Sequence, residues 1–293
     1  MNSYMRGILM ILGSALCLST SGIGLRIIEN ASGWQILFYR STSMMLMVFV
    51  ILTFTHRGQV IARFRRLTGE DWLLAVVLGS GFVAYVFALL ETTVANALFI
   101  FSSAPFFAAV LGWFILRERV ASRTWVAIAA AMIGLGIMVG GGLTGGRQLG
   151  NLIALWLPLS YSISVILVRR SKQPDMLVAL CLAAGFATLV TLPFVGEFSI
   201  SSHDLGVSLY LGIFQVGAGF VLMILGARYV PAAQVGLLAL VEPVLAPTWA
   251  WLVVAELPAQ ATLLGGAIIL GAVGLDGAIS IARKSTRGGN RTR

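Results

Sequence analysis

Charge is scarce in this sequence. Only 11% of its 293 residues are Asp, Glu, Lys or Arg, whereas 58% are hydrophobic. A soluble exterior cannot be built from so few charges, and a mean hydropathy of +0.94 is more than a soluble core requires. The chain belongs in a membrane. Histidine is nearly absent too: His56 and His203 are the only two, and both fall at the ends of apolar runs. Metal-assisted hydrolysis needs clustered histidines and carboxylates, and neither His-Glu-x-x-His nor Gly-x-Ser-x-Gly occurs. A Gly-rich phosphate loop of the ATP-driven kind is missing as well. The two cysteines, Cys17 and Cys181, lie inside apolar stretches and form no disulfide framework. Nothing in the sequence calls for a metal or a cofactor.

The formal charge of +9 would suggest nucleic acid in a soluble protein. In a membrane protein the basic residues gather in cytoplasmic loops, and no nucleic-acid motif is present. The first seventeen residues have the outline of a signal peptide. Bulky Leu16 stands before Cys17 where a lipoprotein would carry a small residue, so the segment is expected to stay as the first span.

Crossing the hydrocarbon takes about 20 apolar residues. Ten candidates fit, at 7–27, 33–54, 71–90, 95–116, 122–142, 148–168, 176–195, 204–224, 230–254 and 259–281. Turn residues or charges separate them, as at Asn30-Ala31-Ser32-Gly33 and Lys172-Gln173-Pro174-Asp175. With the N-terminus in the cytoplasm, 17 of the 20 Lys and Arg residues face the cytoplasm, and only Arg26, Arg40 and Arg147 lie elsewhere. Both termini are therefore expected inside.

One segment occurs twice. Residues 104–118 read APFFAAVLGWFILRE and residues 242–256 read EPVLAPTWAWLVVAE. Pro105 maps to Pro243, Ala108 to Ala246, Trp113 to Trp251 and Glu118 to Glu256, all at an offset of 138. Gly79-x-Gly81 repeats at the same offset as Gly217-x-Gly219, and Leu18-Ser19-Thr20-Ser21 reappears as Leu159-Ser160-Tyr161-Ser162. Five spans is an odd number, so two such halves in one chain are inverted relative to each other. The expected fold class is an all-α integral membrane protein of ten transmembrane helices in a 5+5 inverted repeat. The halves are expected at 1–142 and 143–282, with a basic cytoplasmic tail at 283–293. Inverted repeats are a common way to build alternating gates around a central site.

These residues also carry a family likeness. The paired motifs, each with Pro, small residues, Trp and a terminal Glu, resemble the two EamA domains of the drug/metabolite transporter superfamily. Phe38-Tyr39-Arg40 in span 2 is similar to that family's arginine-bearing second helix. The resemblance implies a ten-helix carrier with a central cavity that exports metabolites, with spans 5 and 10 outside the cavity. Within the superfamily the chain is most similar to the aromatic amino acid exporters. One departure stands out: Arg117 and Ala255 precede the terminal acids where the family often has Gly, so those loops are expected to turn differently.

Glu242 is the sharpest single candidate. It lies about 16 Å into span 9 at 1.5 Å per residue, close to the bilayer midplane. An acid at that depth faces a polar cavity, pairs, or is protonated. Pro243 and Pro247 are expected to kink the helix beside it. Its readings are a substrate-amine contact, a proton site or a structural acid. Arg40, on the outer side of span 2, is read first as a structural or gating residue paired with Glu29 or Glu91, and second as a contact for a substrate carboxylate. Ser19, Ser21, Tyr39, Tyr85, Trp156, Ser160, Tyr161, Gln215 and Gln234 are candidate pathway residues. Trp156 and Tyr161 are favoured among them because they sit in mid-span beside Pro158, away from the belts where such rings usually anchor. Pro105 and Pro243 mark the repeated break. Glu118 and Glu256 are read first as markers of the helix boundaries, since surface ion pairs are weak, and second as gate latches against nearby arginines such as Arg119 or Arg123. Gly134, Gly136 and Gly140 with Gly266, Gly271 and Gly274 form close-packing faces, used within a monomer or, alternatively, between two copies through spans 5 and 10. Residues 60–67, with Arg63, Arg65 and Arg66, are expected on the cytoplasmic leaflet.

The sequence thus reads as a secondary exporter of small metabolites, with amino acids of bulky or aromatic side chain as the leading substrates; the alternative is an exporter or passive facilitator of amphipathic toxicants or other metabolites. Phosphorylated sugars would want several cavity Lys or Arg and fit poorly. An intramembrane enzyme is the remote alternative, since Glu242 has no partner acid. Its partners are the solute and the lipid bilayer, and the resemblance implies a bacterial inner membrane.

Overall fold

In the computed structural model the described residues are 3–56, 60–92, 94–139, 148–171, 176–254 and 260–289. They are helical almost throughout. Span 1 is α1 (Ser3–Leu18) and α2 (Ser21–Arg26), span 2 is α3 (Gly33–His56), and a short α4 (Val60–Phe64) leads into span 3, α5 (Gly69–Glu91). Span 4 is split into α6 (Val94–Phe101) and α7 (Ala104–Leu116), and span 5 is α8 (Ser122–Val139). Spans 6 and 7 are α9 (Gln148–Arg170) and α10 (Leu177–Thr191). Span 8 runs through α11 (Ser202–Tyr210), a π-helical stretch at Leu211–Ala218 and α12 (Gly219–Ala227). Span 9 is split into α13 (Ala232–Ala239) and α14 (Val241–Val254), and span 10 is α15 (Gln260–Gly289). Nine of these spans are long and apolar enough to cross a membrane, and the fifth contributes a shorter apolar helix, Ser122–Ile137. The chain is an integral membrane protein.

The inverted repeat is visible in the packing. Exchanging span 1 with 6, 2 with 7, 3 with 8, 4 with 9 and 5 with 10 maps the most extensive helix contacts onto one another. Span 3 packs on spans 6 and 7, and span 8 packs on spans 1 and 2. Spans 2 and 7, 4 and 9, and 5 and 10 pair directly across the centre. The repeated glycines explain part of this. A Cβ on Gly81 would come within 2.6 Å of the Ser160 hydroxyl, and one on Gly219 within 2.9 Å of Leu18. Span 3 therefore approaches span 6, and span 8 approaches span 1, only because both positions lack a side chain.

Spans 3 and 8 also start alike. Thr68 caps α5 by accepting from the Asp71 amide, and Ser201 caps α11 by accepting from the Asp204 amide at 3.0 Å. Each satisfies orphan amides of a first helical turn. Buried Asp204 does more: its carboxylate accepts the amides of Glu29 at 2.9 Å and of Asn30 and Ala31 at 3.0 Å. The connection between spans 1 and 2 is pinned in this way to the head of span 8.

The prolines act differently from the expected kink. Pro105 lies in the first turn of α7 and Pro243 in the first turn of α14, directly after breaks at Ser102–Ser103 and Leu240. A first-turn proline gives up no intrahelical hydrogen bond. Pro247 falls inside α14 and Pro158 inside an unbroken α9.

Spans 5 and 10 form the most extensive pair. A Cβ on Gly134 would meet the Gly265 carbonyl oxygen at 2.8 Å, so this part of the glycine face serves packing within the chain. Gly271 and Gly274 face away from the rest of the chain, and Gly140 lies outside the described residues. A buried polar cluster ties this pair to spans 1 and 9. Asp276 accepts from Thr124 Oγ1 and from Gln234 Nε2, each at 2.8 Å, and faces Arg123 at 3.4 Å. Gln234 accepts in turn from the Tyr4 hydroxyl at 2.7 Å, and Ser280 accepts from Arg123 Nη2 at 2.8 Å.

Two outcomes test this account. Arg117, the last residue before Glu118, has φ 55° and ψ 29°. It adopts the left-handed turn that Gly favours, so Arg117→Gly should raise stability by about 1 kcal/mol, read as a higher thermal unfolding midpoint in detergent. Asp276→Leu should cost about 3 kcal/mol by stranding the buried donors of Thr124, Gln234 and Arg123, whereas Asp276→Asn keeps an acceptor oxygen and should cost clearly less.

Candidate functional site

The helix breaks surround a central cavity with about 660 Å³ of empty space, its open mouth included. Six spans reach it. Leu18 comes from the break in span 1, Arg40 from span 2, and Leu78, Gly81, Phe82 and Tyr85 from span 3. Phe101 ends the first half of span 4, Leu157, Ser160 and Tyr161 belong to span 6, Gln215 and Phe220 to span 8, and Glu242 to the first turn of α14 in span 9. Broken backbone inside a bilayer is tolerated where it lines such a cavity.

The floor of the cavity is aromatic and symmetric. Phe82 and Phe220 follow the repeated glycines at the same offset of 138, and their rings meet edge to face with centroids 5.0 Å apart. Phe101 packs edge to face on Tyr161 at 5.8 Å. The polar groups are asymmetric. Arg40 holds its guanidinium 5.5 Å from the centroid of the Tyr85 ring, a cation–π contact worth about 2 kcal/mol when water is excluded. Its backbone is held by close approach of span 8, because a Cβ on Gly212 would collide with the Arg40 carbonyl oxygen. Arg40 and Glu242 attract each other across the cavity, yet no ion pair within 4 Å engages either among the described residues. A cation and an anion therefore face one apolar space without neutralising each other directly.

Gln215 adds a third polar point. It sits on the π-helical stretch of span 8, a departure from α-helix often found at functional sites. Its Nε2 donates to the Leu18 carbonyl at 3.3 Å, and its Oε1 is buried without a partner among the described residues. Ser160 uses its hydroxyl on the Leu157 carbonyl at 3.0 Å, which leaves its lone pairs toward the cavity. Ser21 stands behind the lining, within hydrogen-bonding reach of Tyr85.

Four of the candidate residues lie elsewhere. Trp156 is 36% exposed and donates through Nε1 to Ser80 at 3.0 Å, outside the cavity. Tyr39 donates to the Phe198 carbonyl at 2.6 Å at the far end of span 2. Gln234 belongs to the Asp276 cluster. Ser19 accepts from Trp249 Nε1 at 2.8 Å and donates to Leu16, joining the break in span 1 to α14.

One end of the cavity is shut. Spans 4 and 9 pack on each other through α7 and α13. Glu118 fastens that end: it accepts from Arg169 of span 6 and from the Ala232 amide, at 3.1 Å, in the first turn of α13. Arg169 also donates to the carbonyls of Ala227 and Val230 in the connection between spans 8 and 9. The partner of Glu118 is thus Arg169 rather than Arg119 or Arg123, because the two helix ends converge on the same turn. Glu256 lies outside the described residues. On the other side of the breaks, among the described residues, α6 leans on α9 and α14 leans on α1 and α2, with no pairing between α6 and α14 as extensive as that between α7 and α13.

Several residues of this region were not singled out in the sequence. Phe82 and Phe220 could have been found from the glycines they follow, since the offset is the same. Asp276 is a lone acid within an apolar span, the usual signal of a paired or functional group. Leu18 and Phe101 carry no signal beyond their place beside a break.

Comparison with known proteins fits this geometry. Residues 5–140 and 148–275 match the EamA-like transporter family. An uncharacterized transporter of Archaeoglobus fulgidus is 30% identical over 195 residues, covering 65% of this chain and 69% of that protein. The uncharacterized transporter YwfM of Bacillus subtilis is 26% identical over 220 residues, covering 70% of this chain and 74% of that protein. A solved crystal structure superposes with a TM-score of 0.82 at 20% identity, covering 95% of this chain and 98% of the other, which establishes the shared fold. The chain is a membrane transporter and belongs to the EamA-like transporter family.

Proposed function

We propose that this transporter exports amino acids with bulky or aromatic side chains by alternating access, without ATP. The observation that carries the reading is the facing pair of Arg40 and Glu242 in a cavity lined mainly by aromatic rings and leucines. An α-amino acid presents a carboxylate and an ammonium on one carbon, complementary to a guanidinium and a carboxylate that are not paired with each other. Gln215 Oε1 offers a further acceptor for the ammonium, and Phe82, Phe101 and Phe220 offer apolar faces to the side chain. Amphipathic cations would use Glu242 and the rings but leave Arg40 without a partner.

The two halves, 1–142 and 143–282, exchange roles in this mechanism. The positive-inside pattern supports cytoplasmic termini and a cytoplasmic Glu118–Arg169 clasp. In that orientation the described conformation is closed to the cytoplasm. Loading substrate requires the clasp to open while the outer halves α6 and α14 come together. The bacterial inner membrane is the membrane this reading implies.

Counterflow in proteoliposomes tests it, with radiolabelled Phe, Tyr, Trp, Leu and Thr and a cationic toxicant, each with and without a pH gradient. Saturable counterflow of the aromatic set is expected, with N-acetyl-Phe and phenethylamine competing poorly because each lacks one charge. Glu242→Gln should abolish or decouple transport while the protein remains folded. Trp156→Ala should lower all substrates alike, since Trp156 holds Ser80 rather than solute. A flat response to amino acids, with saturable counterflow of the toxicant, would replace the substrate class and leave the carrier in place.

A further inference from the structure

A second hollow lies on the outside of the helix bundle and shares no lining residue with the transport cavity. It opens between spans 2, 3 and 7, with about 920 Å³ of empty space, open side included, and its lining side chains are all apolar. Gly185 and Ala75 leave the hollow, and Phe49, Val76 and Leu189, each at least 46% exposed, form its rim. Apolar side chains exposed on spanning helices face hydrocarbon, so this groove is open to lipid.

One end of the groove is charged. Phe64 of α4 and Trp72 in the first turn of α5 line it there, and Arg63, Arg65 and Arg66 flank Phe64. Arg65 and Arg66 are exposed. The acids close by in sequence are directed elsewhere: Glu70 faces Arg170 at 3.7 Å, and Asp71 accepts from Thr68. On α10 the lining runs from Cys181 to Leu189, about 12 Å at 1.5 Å per residue, and ends about 18 Å from the helix start at Leu177. That depth matches one leaflet of a hydrocarbon core about 30 Å thick.

We propose that this groove is a binding site for an anionic diacyl phospholipid, with one acyl chain lying between spans 2, 3 and 7 and the headgroup held by Arg63, Arg65 and Arg66. The internal repeat provides a control. The connection equivalent to α4, between spans 7 and 8 at 195–201, contains Glu197 and neither Lys nor Arg. The opposite leaflet has no matching basic end, so the site is confined to one leaflet. Guanidinium groups suit phosphate, and anionic headgroups concentrate at basic segments of this kind.

The test uses the purified full-length protein in mild detergent, with dioleoyl phosphatidylglycerol or dioleoyl phosphatidylcholine added. Native mass spectrometry should show a retained phosphatidylglycerol adduct, with roughly tenfold preference over phosphatidylcholine, and a raised unfolding midpoint. The surface variant with Arg63→Gln, Arg65→Gln and Arg66→Gln should lose that preference while still folding. Gly185→Leu should reduce retention of both lipids by filling the groove. Equal retention of the two lipids by the wild type would overturn the proposal, as would an unchanged preference in the arginine variant. Replacement of the lipid by a free fatty acid, or by a second copy of the chain, would overturn it equally. Counterflow of amino acids is a separate readout, so failure here leaves the transport reading standing.

Discussion

A hydrocarbon surround supplies no water to a broken backbone, and that constraint organises the whole chain. Continuous helices face the lipid, while the interruptions at Ser19–Thr20, Ser102–Ser103 and Leu240 turn inward to the cavity. Pro105 and Pro243 start new helices at those interruptions, where a missing amide costs nothing. Polar side chains obey the same rule. Asp204 is saturated by three loop amides, Asp276 by Thr124 and Gln234, and Glu118 by Arg169 and Ala232. Against that background the separated Arg40 and Glu242 are an exception, placed where a solute can join them.

The fold was legible because it depends on coarse properties. Apolar run length gives the spans, and two copies of a motif at offset 138 give the inverted halves. The repeat was even richer than its first reading, since the Phe after Gly81 and after Gly219, and the Ser or Thr cap with Asp three residues on, recur as well. The site was harder to read. Helical depth alone put Arg40 near the outer interface, where snorkelling competes with burial, and only the packing of Gly212 against its backbone draws it into the cavity. Trp156 and Tyr161 are five residues apart on one helix, so their side chains point in different directions: Tyr161 enters the cavity and Trp156 meets Ser80. Gln234 was recognisable as polar and buried, but its partner Asp276 is 42 residues away and no local pattern joins them.

Stability and transport draw on different parts of the molecule. Spans 5 and 10 lie outside the cavity and hold spans 1 and 9 through the Asp276 cluster. Spans 4 and 9 carry two of the three breaks and the clasp at Glu118. A continuous, closely packed pair thus borders a pair with breaks, an arrangement in which local opening need not disturb the scaffold.

The Phe82–Phe220 contact has a geometric consequence. Because the two rings are repeat mates that touch each other, they straddle the internal twofold axis of the protein. When the halves trade conformations, every contact off that axis is replaced by its mate, but a contact on the axis is its own mate. In the proposed alternating-access cycle the two rings would act as a bearing, a surface that both arrangements of the halves present alike.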